Sequence, residues 1–409
     1  MEEQLEAYYG LPQKVQFCKH CVMSNQRPSS SIEFKHRIES RKSTLHIDDD
    51  GVCDACRTAE KKDRIDWGKR EQELLDLLEK YRKSDGSYDC IVPGSGGKDS
   101  AYQAHVLKYK YGMNPLTVTW PPILYTDYGY QNFKNWIDVG GFDNISFYRN
   151  GRAMKILTKL AIENLFHPFQ TFILGQKNLA PKIALQYHIP LIFYGENEAE
   201  YGNPIADNST SLRDRSYYTY QHLEDIYLGG VSIKDIIHQY DLRLSDLASF
   251  LPAKYEDLEK SKIEVHYLGY YLKWTPQEVY YYAVENTGFK ARPFRTQGTY
   301  SKYNSIDDKI DDLHYYTTFI KFGIGRATYD ASQEIRNHHL TREEGIALVK
   351  KFDGEFPDRY FDEIMKYLEI DPEYFKHELT DKFRSPHLWK KVNGVWKLRH
   401  TIAGTGTDD

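Results

Sequence analysis

The run Pro93-Gly94-Ser95-Gly96-Gly97-Lys98-Asp99-Ser100 gathers glycines, hydroxyls, one cation and one carboxylate. Glycines let a backbone approach an anion closely, and a helix starting here offers its free N–H groups to the same anion. Before the run, Tyr88-Asp89-Cys90-Ile91-Val92 reads as a buried strand, with Cys90 a small core residue. After it, Ala101–Tyr109 reads as a helix that stops near Gly112, and Pro115–Trp120 as a second strand. The loop is not a Walker A motif: Val92 stands where the first glycine belongs, and Asp99 where Ser or Thr should follow the lysine. A dinucleotide G-x-G-x-x-G also fails, because Lys98, Asp99 and Ser100 follow the paired glycines.

The cysteines carry a second chemistry. Cys18-x2-Cys21 and Cys53-x2-Cys56 each place two thiolates on one short turn, and two such turns complete a tetrahedral four-thiolate site for structural Zn2+. Asp48-Asp49-Asp50-Gly51 supplies turn chemistry just before the second pair. A redox CxxC would need a thioredoxin-like βαβ frame, which is absent here. His20, His36 and His46 lie nearby, but four cysteines already satisfy the ion.

Two further clusters follow. Ile189–Tyr194 reads as a buried strand that empties into Gly195-Glu196-Asn197-Glu198-Ala199-Glu200-Tyr201-Gly202. Three carboxylates at a strand end are costly unless cations balance them, although a solvated helix start also favours acids. Later, Tyr300–Tyr303 precedes a helix expected to carry Asp307, Asp308, Asp311 and Asp312, and then comes Lys321-Phe322-Gly323-Ile324-Gly325-Arg326. Two cations spaced by glycines can grip pyrophosphate; a helix C-cap with basic residues accounts for the run equally well.

The elements that must position these groups alternate. Helical patterns at 132–137, 153–166 and 177–187 interleave with extended runs at 115–120, 145–148 and 189–194. That is an α/β architecture with a mostly parallel sheet and ligands at the strands' carboxyl ends. Four segments are expected: a zinc-bearing arm (1–65), a nucleotide core (66–205) entered by the amphipathic helix Glu71–Glu79, a helical substrate or interface region (206–330), and a helical tail with an irregular end (331–409). Asp207–Ser211 should be a mobile loop, and the tyrosine clusters at 217–220, 267–271 and 280–282 could stack on a sugar or base, although such residues more often pack helices or a subunit interface.

Composition bounds the function. With 409 residues, 40% hydrophobic and 28% charged, the chain can build a sizeable core, which excludes wholesale disorder. No apolar run approaches the roughly 20 residues of a spanning helix, and MEEQLEAYYG lacks the basic and apolar regions of a secretory signal, so no membrane insertion and a cytoplasmic location are expected. A reducing cytosol favours metal over disulfide. The net charge of −5 weighs against stable nucleic-acid binding.

Ser95–Ser100 resembles the S-G-G-x-D-S signature of the PP-loop, or N-type ATP pyrophosphatase, superfamily, whose core is the adenine nucleotide alpha hydrolase-like (HUP) fold. The resemblance implies that Ser95, Gly96, Gly97, Lys98, Asp99 and Ser100 hold the pyrophosphate end of ATP, with Asp99 on Mg2+, and that cleavage falls between the α and β phosphates. A similar Gly-Glu loop in asparagine synthetases makes Glu196 the expected base or Mg2+-linked carboxylate, with Glu200 second. PP-loop amidotransferases also place a lysine late in the chain, which points to Lys321, with Arg326 beside it.

Adding Phe17-Cys18-Lys19-His20-Cys21-Val22-Met23, Arg27-Pro28 and Gly51–Cys56, most of the chain looks like the N-acetyl sugar amidotransferase family of bacterial surface-glycan pathways, lipopolysaccharide O-antigen or pseudaminic and legionaminic acid synthesis. That resemblance implies an ATP-dependent, AMP-forming C–N ligase that turns an acetamido group into an acetamidino group. Glu2 follows Met1, so no N-terminal cysteine nucleophile is present and no glutaminase domain is read. A separate glutaminase subunit with a cyclase-like, channel-forming partner is therefore implied, acting on an N-acetylated, nucleotide-activated sugar, and homo-oligomerisation is left open. Two other readings stand: a tRNA-thiolating PP-loop enzyme, which would want a basic surface and spare cysteines, and a zinc-containing scaffold with a vestigial nucleotide fold.

Overall fold

The computed structural model describes residues 5–196, 200, 210–402 and 404–405. Glu198 of the acidic loop and Asp207–Ser209 of the polar stretch lie outside the described residues. A five-stranded parallel sheet organises the chain: β1 (Cys90–Pro93), β2 (Pro115–Thr119), β3 (Asn144–Ser146), β4 (Leu191–Tyr194) and β5 (Glu264–Tyr267). Their order is β3-β2-β1-β4-β5. The chain builds outward from β1 to β3, then returns to the other side of β1 for β4, so the winding reverses between β1 and β4. In open α/β sheets, ligands bind in the crevice at the strands' carboxyl ends where that reversal occurs.

Central strands of a parallel sheet are covered on both faces, which is why Cys90-Ile91-Val92 is apolar without alternation. Ile91, Leu116, Val118, Ile192 and Val265 face one layer of core, against α5 (Gly151–Leu165) and α6 (Gln170–Tyr187). Cys90, Val92, Leu191 and Phe193 face the other, against α2 (Trp67–Tyr81), α3 (Lys98–His105) and α4 (Asp127–Asp138). Asp66, Thr126 and Asn150 cap α2, α4 and α5 by accepting backbone N–H groups three residues on. Several tyrosines pack between elements: Tyr280 stacks on Tyr303 with centroids 4.2 Å apart, and Tyr102 meets both Trp274 and Tyr282 edge-on.

Two expectations are corrected. The boundary at 205 cuts the sheet, because β5 pairs with β4 (Phe193 beside His266) although it belongs to the segment expected to be helical. The irregular end contains a hairpin, Trp389–Val392 against Val395–Leu398, turned by Asn393 and Gly394 with φ of 52° and 81°.

The segment before helix Ile310–Phe322 is fastened to the core. Asp308 accepts the N–H groups of Ile123 (2.5 Å), Leu124 (3.2 Å) and Ile310 (3.0 Å), and the hydroxyl of Thr126 donates to Ile306 O. Gly129 allows this contact: a Cβ there would lie 2.3 Å from Asp307 Cα. Gly129→Ala should lower stability by about 1–3 kcal/mol through overpacking. A urea midpoint equal to wild type would show instead that the two segments part freely.

Residues at the start of the sequence are held by residues near its end. Tyr8 N donates to Ser385 Oγ (2.9 Å), His387 N to Glu6 O (3.2 Å), and Arg342 to the carbonyls of Cys18 and Cys21 (3.2 Å each). Among the described residues, no helix is long and apolar enough to cross a membrane.

Candidate functional site: a cleft at the glycine loop

β1 runs directly into Gly94–Gly97, and α3 begins at Lys98 with Gly97 as its N-cap, so the loop lies at the reversal point. Gly96 has φ of 84°, and a Cβ there would meet Phe133 Cα at 2.6 Å. Only glycine fits that turn against α4. Gln103 on α3 donates to Phe193 O (2.7 Å), which ties the loop's helix to β4. Lys98 Nζ donates to both carboxylate oxygens of Asp99 (2.7 and 2.8 Å). Ser95 Oγ donates to Asp307 Oδ2 (2.7 Å).

The loop opens on a cavity of about 500 Å³, within the range of small-molecule sites. Ser95, Gly97, Lys98 and Asp99 form one wall. The opposite wall comes from residues 303–333, including Asp311, Tyr315 and Arg326. Glu196, at the end of β4, closes one side with Gln333 Nε2 at 3.5 Å from its carboxylate. A second cavity, of about 230 Å³, adjoins the loop and is walled by Val118, Trp120, Ile173, Leu179 and Tyr194 beside Lys177 and Arg213.

The four predicted late and acidic residues separate. Arg326 lines the cleft, ion-paired to Asp330 (3.0 Å) and bonded to the hydroxyl of Tyr315. Glu196 lines it too. Lys321 does not line it: it is buried elsewhere, its Nζ donating to Leu165 O (2.6 Å), and burial, helped by Lys42, pulls its pKa well below the ordinary lysine value. The reason is helical geometry, since ten residues beyond Asp311 carry it about 15 Å along the helix axis. Glu200 is likewise outside the cleft lining. It pairs with Lys62 Nζ (2.8 Å), at the end of α1 (Asp54–Lys62), in a separate pocket shared with Arg336. Burial raises its pKa despite that lysine. Contrary to expectation, neither Lys321 nor Glu200 lines the cleft at the glycine loop.

The acidic run divides by position rather than acting together. Asp307 and Asp308 precede the helix expected to carry them. Asp307 turns to Ser95, Asp308 stitches the wall to residues 123–124, and Asp312 sits 4.0 Å from Arg359. Asp311 alone of the four is left facing the cleft without a donor. Gly129, Asn132 and Tyr315, which also line the cleft, gave no signal in the sequence beyond their place on helices.

The cysteines converge as their spacing predicts. Cys18, Cys21, Cys53 and Cys56 are buried, with all sulfur atoms within 4.8 Å of one another and the nearest pairs at 3.7 and 3.8 Å. A tetrahedral ion with Zn–S near 2.3 Å requires sulfurs about 3.8 Å apart. Backbone N–H groups of His20, Cys21 and Cys53 point at Cys18 Sγ (3.3–3.5 Å), favouring its thiolate. The donor set and geometry fit zinc.

Comparison with known proteins adds a coarse frame. Residues 297–402 match the family described as LPS biosynthesis protein WbpG-like, C-terminal domain. That segment includes most of the cleft's opposite wall. A stretch of 50 residues is 42% identical to the uncharacterized protein MJ1599 of Methanocaldococcus jannaschii, covering 12% of this chain and 18% of that protein. The match therefore spans under a fifth of the relative's length. The structure of NMN synthetase from Francisella tularensis is similar over 48% of this chain and 92% of its own, at 14% identity and a TM-score of 0.26.

Proposed function

We propose that this chain is an ATP-dependent, AMP-forming amidotransferase that converts an acetamido group of a sugar into an acetamidino group during surface-glycan synthesis. The observation that carries the reading is the Ser95–Ser100 loop at the sheet's reversal point, opening on a cleft whose far wall lies in the segment similar to an LPS biosynthesis family. The loop's N–H groups and Lys98 suit the β and γ phosphates, and the apolar pocket beside Trp120 suits a purine. Asp99 and Asp307 are the carboxylates next to the loop that would hold Mg2+, which when bound neutralises charge developing on pyrophosphate.

The logic is covalent activation: an amide oxygen leaves poorly, AMP leaves well, and one hard displacement becomes two easier ones. Ammonia would come from a separate glutaminase with a cyclase-like channel subunit, because free ammonia is mostly protonated at neutral pH. Incubation with ATP, Mg2+, ammonium and a panel of UDP-N-acetylglucosamine, CMP-N-acetylneuraminic acid and free N-acetylglucosamine tests the reading. Mass spectrometry should find one sugar with oxygen replaced by NH, together with AMP. Pyrophosphate release that depends on tRNA instead of any sugar would reject it.

A further inference from the structure

Five carboxylates line the cleft, Asp99, Glu196, Asp307, Asp311 and Asp330, and four are engaged. Asp99 holds Lys98, and Asp307 accepts from Ser95. Asp330 pairs with Arg326 and accepts from Thr299 Oγ1 (2.6 Å) and Asn304 Nδ2 (3.2 Å). Glu196 meets Gln333. Asp311 is 7% exposed, yet its side chain has no hydrogen-bond donor and no ion-pair partner among the described residues. Buried carboxylates ordinarily collect donors, so one kept bare at a cavity wall is held for something that arrives. Burial, reinforced by Asp307 and Asp308 and then by Asp312, pushes its pKa well above the usual carboxylate range, against the pull of Arg326. A raised pKa makes the ionised carboxylate a strong proton acceptor, and the form that has given its proton to solvent in the open cleft is the one that acts as a base.

We propose that Asp311 is the base that takes a proton from the entering nitrogen in the transfer step; this rests on the amidotransferase reading. The lone pair of ammonia forms a C–N bond to the adenylated carbon while the C=N π bond to the protonated acetamido nitrogen breaks, its electrons passing to that nitrogen, which gives a tetrahedral centre with an –NH3+ group. One N–H bond breaks, its proton goes to the Asp311 carboxylate, and its electron pair stays on nitrogen. That pair closes C=N while the C–O bond to AMP breaks, its electrons leaving with AMP. The acetamido nitrogen keeps its own hydrogen, so the product is an amidinium. Asp311 thereby takes the basic role expected of Glu196.

Asp311→Asn tests this with the panel sugar that the wild type turns over. Single-turnover pyrophosphate release should stay within about two-fold of wild type, while the acetamidino product falls at least about 100-fold, the scale of a lost general base. Asp311→Glu, which keeps the carboxylate, should recover part of the transfer rate. Product formed by Asp311→Asn at the wild-type rate would overturn the proposal, as would equal loss of pyrophosphate release and product in a folded variant. If Asp311→Asn does not fold, Asp311→Glu decides alone: a wild-type transfer rate rejects the proposal, and slowed transfer with intact pyrophosphate release supports it. A wild-type protein that releases no pyrophosphate with any panel sugar would sink the amidotransferase reading itself, a distinct outcome.

Discussion

Asp99→Asn should abolish most AMP formation, by about 10²–10³-fold, while the protein melts within about 5 °C of wild type. The carboxylate sits on the first turn of α3, beside the loop that would receive the phosphates, and its charge is what a magnesium ion or a developing pyrophosphate charge requires. Asparagine keeps an amide oxygen for Lys98 Nζ, so the buried lysine retains an acceptor and the fold is spared. Ser95→Ala removes the hydroxyl that joins the loop to Asp307 and should slow the same step less severely. Pyrophosphate release measured with ATP and the sugar panel reads both. Undiminished release from Asp99→Asn would remove the loop from the chemistry.

Cys18→Ser and Cys53→Ser should each lose bound zinc and most of the arm's stability. Structural zinc contributes on the order of 10 kcal/mol to a segment that cannot otherwise fold. The arm's own apolar cluster is small: Met23, Leu45, Val52 and Ala55 pack around the sulfurs with Ile324. α1 starts at the second cysteine pair and ends at Lys62, so loss of the metal also frees the lysine that holds Glu200. Metal analysis and thermal melting of the purified variants decide the matter. Full zinc stoichiometry in both would reject the four-cysteine centre.

The strands and the helices between them were legible because a parallel sheet buries both faces, leaving uniform apolar runs such as Cys90–Val92 and Leu191–Phe193. The glycine loop and cysteine pairs were legible because local backbone geometry alone dictates their residue types. β5 was missed because Glu264-Val265-His266-Tyr267 breaks the apolar run with Glu264 and His266, and His266 is accommodated by Glu264, Ser211 and Tyr271 around it. The hairpin Trp389–Val392 and Val395–Leu398 lies in the segment expected to be irregular, although Asn393-Gly394 between its strands is a strong turn signal. Asp311 lines the cleft and Lys321 does not. Both lie on one helix, and only packing reveals which face meets the cleft and which donor each carboxylate finds.

The clasp between residues 6–21 and residues 342–387 bears on how the chain is made. A ribosome delivers the cysteine turns first and the arginine that grips their carbonyls more than three hundred residues later. In the interval a zinc ion held by the four sulfurs would be the nascent arm's main support, so metal supply during translation, rather than after release, should govern the yield of native protein.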